Sequence, residues 1–144
     1  MANKDNPGRG ARFETLVQRF FADRGLTLGL NYRVPVGMAS ERRLRKFDLG
    51  SARPPVLVEC KFHTWTAGGN APSGKFAAWT EAMLYFAAAP HRYRRILAVL
   101  RAVRGRESLA QHYLKRFRHL IPRGVEIWEL VASGRSGRRL YPRR

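Results

Sequence analysis

The segment 56–62, Val-Leu-Val-Glu-Cys-Lys-Phe, is the feature that most constrains how this chain can fold. Its apolar run is short enough for a strand and too short for a helix. Pro54 and Pro55 come directly before it and cannot donate to a central ladder of a sheet, so they fix where the strand begins. The segment is therefore the strongest strand in the sequence, and the rest of the fold must build around it.

The other apolar patterns alternate between helical and strand spacing. Apolar side chains from Phe13 to Phe21 follow the spacing of one buried helix face, and Gly25 supplies a helix stop. Further strands are predicted at residues 26–36, 45–49, 96–100 and 125–130, and further helices at residues 75–89 and 106–120. The order α-β-β-β-α-β-α-β predicts an α/β fold with a mixed sheet covered by helices on both faces.

A length of 144 residues is that of one ordinary domain. Residues 1–9 are polar and include Asn6-Pro7-Gly8, so we expect a disordered lead-in, followed by a domain over residues 10–132. Residues 133–144 are rich in glycine and arginine and are expected to form a basic tail. The single cysteine, Cys60, excludes a disulfide or a cysteine-based zinc site within one chain and fits a reducing cytoplasm.

The charge of the chain points to a polyanionic partner. Lysine and arginine total 28 against 10 acidic residues, which gives a formal net charge of +18. Arginine dominates, and its planar fork binds phosphates bidentately, so nucleic acid is the expected partner. A membrane surface is disfavoured, because the sequence has no long apolar run, signal-peptide pattern or lipidation motif.

Alternation along the strand 56–62 places Glu59 and Lys61 on one face, with Leu57, and leaves an apolar opposite face. If residues 50–55 close a hairpin, Asp48 comes close to opposite Glu59, since the two lie nearly symmetrically about the turn. Two opposed carboxylates repel unless a divalent cation neutralises them, and hard oxygen ligands suit Mg²⁺ or Mn²⁺. Lys61 can then hold or deprotonate an attacking water.

A third carboxylate lies on the first helix. Glu14 is about 100° round from Phe13, at the edge of the buried stripe, so it is predicted to supply a further metal contact, directly or through water.

Asp48 followed by Glu59-Cys60-Lys61 on an apolar strand resembles the PD-(D/E)XK superfamily of restriction-endonuclease-like phosphodiesterases. The resemblance implies a mixed sheet flanked by helices and hydrolysis of DNA with Mg²⁺ or Mn²⁺. It implies that Asp48 and Glu59 are metal ligands, Lys61 the catalytic lysine and Glu14 an accessory ligand. Phe47 stands where the motif has proline. Glu81 and Tyr85 take the spacing at which some branches, mostly exonucleases, carry a glutamine and a tyrosine, but the interpretation favoured for Glu81 is a solvated helix residue.

Several basic and aromatic residues around the motif are predicted to contact nucleic acid. They are Arg42, Arg43, Arg45, His63, Trp65 and Lys75. The arginines are expected to bind the phosphate backbone without sequence preference. His63 can equally be a loop-edge histidine, and Trp65 can stack on a base or pack on its own domain.

The sequence therefore predicts a metal-dependent deoxyribonuclease, with endonucleolytic cleavage that is structure-selective or resolves Holliday junctions. A single domain has no second module to read a target sequence, so a homodimer or a partner subunit is expected. The alternative is a basic module that binds DNA or RNA without hydrolysing it.

Overall fold

A six-stranded mixed sheet forms the centre of the fold in the computed structural model, which describes residues 7–143. Its strands run in the order β1-β2-β3-β4-β7-β8. They span β1 (Gly29–Val36), β2 (Arg43–Ala52), β3 (Pro55–Lys61), β4 (Arg94–Leu100), β7 (Val125–Leu130) and β8 (Gly137–Tyr141). The helices are α1 (Pro7–Ala22), α2 (Ser73–Ala88) and α3 (Leu109–Phe117), the last continued by a 3₁₀ turn, Arg118–Leu120.

The sheet joins an antiparallel meander to a parallel centre. β1, β2 and β3 pair antiparallel, whereas β3, β4 and β7 pair parallel and β8 returns antiparallel beside β7. Parallel neighbours need a crossover. α2 provides it between β3 and β4, and α3 provides it between β4 and β7 after a short hairpin of β5 (Val103–Arg104) and β6 (Glu107–Ser108).

Each face of the sheet packs against helices, which confirms the predicted fold class. On one face the side chains of α2 and α3, among them Trp79, Phe86 and Tyr113, pack against Leu57 and Leu97. On the other face α1 supplies its own apolar stripe. Phe13, Val17 and Phe20 there pack with Val56, Val58 and Ile96.

The meander strand β2 is longer than predicted. It continues to Ala52, which pairs with Pro55, so the turn is tighter than the expected loop over residues 50–55. Gly50 was the misleading residue, because it belongs to the strand and not to a turn. A Cβ at Gly50 would lie 2.5 Å from the ring of Tyr32 on β1, so only glycine fits there.

The helix predicted over residues 106–120 begins later, at Leu109. The Ser108 hydroxyl accepts from the Gln111 backbone N–H at 3.1 Å, and the Gln111 side chain accepts from the Ser108 N–H at 2.8 Å. This capping box fixes the start of α3, and residues 103–108 form the hairpin instead.

The predicted chain ends also need correction. Helix α1 begins at Pro7, so residues 7–9 of the expected lead-in are helical and residues 1–6 lie outside the described part of the chain. The segment 133–144, expected to be a basic tail, contains β8. Its pairing with β7 is favoured because Arg138 forms an ion pair with the fully buried Glu129 of β7, with Arg138 Nη2 3.0 Å from Glu129 Oε1. No helix among residues 7–143 is long and apolar enough to cross a membrane.

Candidate active site

The ladder between β2 and β3 stops where the predicted site begins. Backbone pairing runs from Ala52–Pro55 to Leu49–Val58 and goes no further. At the next position the Asp48 backbone N–H donates to Glu59 Oε1 at 3.1 Å, and the Cys60 N–H donates to Asp48 Oδ2 at 2.8 Å. Asp48 and Glu59 therefore lie opposite each other, as their symmetric spacing about the turn predicted.

The split coincides with a local irregularity in β1 and β2. Phe47 packs on the α2 and α3 face and Leu49 on the α1 face, although residues two apart on a regular strand share a face. Asn31, between the paired residues Leu30 and Tyr32 of β1, has a left-handed backbone with φ of 55°. Asparagine tolerates that conformation better than most residues. The irregularity turns β2 at Asp48.

Glu14 joins Asp48 from α1. It is half-buried, and its pKa is raised to about 7 by burial, by the negative charge of Asp48 and by a hydrogen bond to the Asp48 side chain. Lys46 opposes this effect by its positive charge. The first helix thus brings a third carboxyl group to the site, as its helical spacing predicted, and that group holds a proton near neutral pH.

Glu59 is the most deeply buried of the three carboxyl groups, with only 5% of the residue exposed. Burial and the Asp48 charge raise its pKa to about 7, while Arg45 and Lys61 act in the opposite direction. Arg45 Nη2 lies 3.2 Å from Glu59 Oε2. Two raised pKa values in one cluster indicate crowded negative charge, which a proton or a cation relieves.

Lys61 ends β3, two residues beyond Glu59, and is half-buried. Cys60, between them, points to the α1 face. Burial first, then the charges of Asp48 and Glu59, raises the pKa of the Cys60 thiol well above its usual value. The thiol is therefore protonated at neutral pH and is a poor nucleophile. We call Glu14, Asp48 and Glu59 the acidic cluster. The reactive groups of this site are the acidic cluster and Lys61.

Arg45 belongs to this site and not to the exposed arginine turn. Its guanidinium lies 3.8 Å from the ring centre of Tyr85 on α2 and forms the ion pair with Glu59. Tyr85 therefore contacts the site through Arg45, whereas Glu81 is exposed on α2. The spacing around the motif did not reveal the Arg45 contact, since it depends on how α2 packs over β2.

The other predicted nucleic-acid contacts are spread over the surface. Arg42 and Arg43 are exposed, Arg42 donating to the Gly37 carbonyl at 2.9 Å and Arg43 pairing with Glu41 at 2.8 Å. His63 is half-buried and stacks on Phe62, with ring centres 5.1 Å apart. Lys75 is half-buried in the first turn of α2.

Trp65 is anchored to its own domain, the alternative that the sequence left open. Its indole N–H donates to the Ala102 carbonyl at 3.0 Å, and the Arg104 guanidinium lies 3.9 Å from its ring centre. Arg104 also donates to the Gly69 carbonyl. These contacts tie the loop between β3 and α2 to the β5–β6 hairpin.

Carboxylate oxygens are the ligands that Mg²⁺ and Mn²⁺ prefer, so the donor chemistry of the acidic cluster suits such an ion. Within residues 7–143, however, no group of three or more His, Cys, Asp or Glu side chains has the arrangement of a metal site. The contacts explain this, because Glu59 Oε2 faces Arg45 while Glu59 Oε1 and Asp48 Oδ2 accept backbone N–H groups. A cation would have to displace Arg45 from Glu59.

Comparison of the chain with protein-family models, with curated proteins and with solved structures gave no match.

Proposed function

We propose that this protein is a metal-dependent deoxyribonuclease whose active site is the acidic cluster with Lys61. One observation carries the proposal: three carboxyl groups from α1, β2 and β3 meet at the point where β2 and β3 separate. The two strands are anchored on both sides by apolar cores, so the groups are held on rigid elements. The formal charge of +18 favours a polyanionic substrate.

Asp48 and Glu59 would hold Mg²⁺ or Mn²⁺, with Glu14 as an accessory ligand. Such an ion, when bound, lowers the pKa of a water molecule and neutralises charge on a phosphate. The carboxyl groups of Glu14 and Glu59, each with a pKa of about 7, must give up protons to bind it, so metal affinity is expected to rise with pH.

Two cations of the protein have separate roles. Lys61 lies half-buried at the end of β3, where its ammonium can orient the attacking water and stabilise negative charge on the phosphate. In its neutral amine form it can instead accept a proton from that water. Arg45 balances Glu59 when no metal is bound. Once released from Glu59, the guanidinium remains on the Tyr85 ring, within the site, as a phosphate-binding group.

The expected cleavage is endonucleolytic. A homodimer or a partner subunit would allow two strands to be cut at two sites, as in structure-selective enzymes or those that resolve four-way junctions.

The experiment is cleavage of supercoiled plasmid and of linear, nicked, flapped and four-way DNA with Mg²⁺ or Mn²⁺. We expect Asp48→Ala and Lys61→Ala each to lower the rate by at least about 100-fold. Glu81→Ala removes an exposed carboxylate of the same chain without introducing the glutamine of the related branches and should leave the rate unchanged. Cleavage that survives both site substitutions would refute the proposal.

A second candidate is a module that binds nucleic acid without hydrolysis. The ion pair of Arg45 with Glu59 favours it, because the protein then balances the acidic cluster without a metal. Calorimetry separates the two candidates. The heat of Mg²⁺ or Mn²⁺ binding is compared between the wild type and Glu59→Gln. The module is supported if the wild type shows no metal binding that depends on Glu59, while salt-sensitive DNA binding persists.

A further inference from the structure

Between α1 and the turn joining β7 to β8 lies an open groove, which we call the arginine groove. Four exposed arginines border it: Arg9, Arg12 and Arg19 from α1, and Arg135 from the turn. Its volume of about 990 Å³ suits an extended ligand better than a single ion. None of the four arginines forms an ion pair within residues 7–143, so their charges are available to a ligand.

The walls of the groove are fixed to each other. Gly134 in the turn has a positive φ of 76°, and a Cβ there would lie 2.7 Å from the Leu16 side chain on α1. The turn is closed by backbone hydrogen bonds from Gly134 to Val131 at 2.9 Å and from Val131 to Ser136 at 3.0 Å. Arg135 is therefore held opposite the arginines of α1 by close packing, and the groove is a preformed feature.

The floor of the groove is apolar. Phe62, directly after β3, and Leu100, the last residue of β4, line it together with Leu16. A duplex offers phosphates to the arginines but keeps the faces of its bases inside the stack, so it gains nothing from this floor. A single strand offers both phosphates and base faces, and grooves that combine cations with aromatic side chains are the usual platform for it.

One end of the groove lies next to Lys61 along the chain, at Phe62. Phe62 directly follows Lys61, and the Arg9 guanidinium lies 5.2 Å from the Phe62 ring centre. Helix α1 carries Arg12 and Arg19 toward the groove and Glu14 toward Asp48. Arg12 and Glu14 lie on different sides of α1, so a chain lying in the groove would have to pass the start of α1 beside Phe62 to reach Lys61.

We propose that the arginine groove binds a single-stranded segment of nucleic acid. Its phosphates lie along Arg9, Arg12, Arg19 and Arg135. Its bases lie on the floor formed by Leu16, Leu100 and Phe62, whose ring also packs with His63 and Arg9. The substrate class is then nucleic acid with a single-stranded segment beside a duplex, such as a flap or an overhang. This last step rests on the proposed nuclease function, whereas strand binding in the groove does not.

The test is fluorescence anisotropy with a labelled single strand and a labelled blunt duplex, in EDTA, over a series of salt concentrations. The variant Arg12→Gln/Arg19→Gln/Arg135→Gln is compared with Arg33→Gln/Arg106→Gln/Arg116→Gln, which removes three exposed arginines elsewhere and lowers the net charge equally. We expect the groove variant to bind the single strand at least about tenfold more weakly and to lose about 2 from the salt slope. The control variant should lose less than about threefold.

Three results would overturn the groove proposal. The two triple variants could bind the single strand equally, the groove variant could weaken duplex and single-strand binding alike, or the groove arginines could bind anionic lipid vesicles and not the single strand. Cleavage with Mg²⁺ separates the two proposals. If cleavage depends on Asp48 but not on the groove arginines, only the nuclease proposal is supported. If strand binding depends on the groove arginines but no cleavage occurs, only the groove proposal is supported.

Discussion

At the scale of single residues, the acidic cluster is the unusual part of this chain. Arginine and lysine outnumber acids by 28 to 10, yet three of the carboxyl groups are placed together. Buried carboxylates of like charge raise each other's pKa. The acidic cluster therefore lowers the free energy of unfolding as pH rises, and a substitution that removes one of its charges should remove this effect.

Glu14→Gln should stabilise the protein at high pH. The pKa of Glu14 is raised to about 7 in the folded state, so the folded state binds more protons than the unfolded chain, and stability falls as pH rises from about 4.5 through 7. Removing the charge should raise the free energy of unfolding by about 1 kcal/mol at pH 8, a figure reduced for solvent screening, and by almost nothing at pH 4. Thermal unfolding measures this, with Glu81→Gln as the control. A gain that is equal at both pH values would contradict the linkage.

Asp48→Asn should make Cys60 more reactive. After burial, the Asp48 charge is the largest cause of the raised pKa of the thiol, and the Cys60 N–H donates to the Asp48 carboxylate. An amide in place of the carboxylate keeps the size and removes the charge. We expect reaction with a chromogenic disulfide at pH 8 to quicken by about threefold or more. If the rate matches that of Glu81→Gln, Asp48 does not control the thiol.

At the scale of elements, spacing predicted the part of the site that lies on one hairpin and one helix. Asp48 and Glu59 are symmetric about a turn, and Glu14 lies at the edge of an apolar stripe, so local geometry was sufficient. The Arg45 contact with Glu59 was not predictable, since it depends on α2 placing Tyr85 over β2. The left-handed backbone of Asn31 was not predictable either, because asparagine tolerates that conformation but does not require it.

Strand β8 was missed for a related reason. Its sequence, Gly-Arg-Arg-Leu-Tyr, lacks the alternation of a half-buried strand and resembles a basic tail. What holds it is the burial of Glu129 on the preceding strand β7, whose carboxylate is 3.0 Å from Arg138 and 3.6 Å from Arg101. That burial depends on how the helices cover the sheet and is not visible in the sequence of the segment.

Removing both partners of Glu129 should therefore destabilise the sheet edge. In Arg101→Ala/Arg138→Ala the buried carboxyl group loses both neighbouring cations, which costs about 3 kcal/mol in comparable pairs. Adding Glu129→Gln to the double variant should recover part of the loss. Urea unfolding measures both changes, and Arg106→Ala/Arg116→Ala removes two exposed arginines as a control. A loss no larger than that of the control would show that the pairing of β8 does not depend on Glu129.

At the scale of the whole molecule, the net charge of +18 repels itself and opposes the compact state. Added salt screens this repulsion, and the Debye length shortens from about 30 Å at 0.01 M to about 8 Å at 0.15 M. We expect the melting temperature of the free protein to rise over this range of sodium chloride. Scanning calorimetry checks the sign, and a fall would mean that the attractive ion pairs outweigh the general repulsion.

The two proposed surfaces are built from different parts of the chain. The acidic cluster draws mainly on the β2–β3 hairpin, whereas the arginine groove joins α1 to the turn after β7. If α1 detached from the sheet, the groove would be lost and Glu14 would leave the acidic cluster, but β2 and β3 would stay paired. A strand bridging the groove would oppose that opening by mass action. Occupancy of the groove should therefore slow amide hydrogen exchange along α1, including at Glu14, although the ligand need not touch the carboxyl groups.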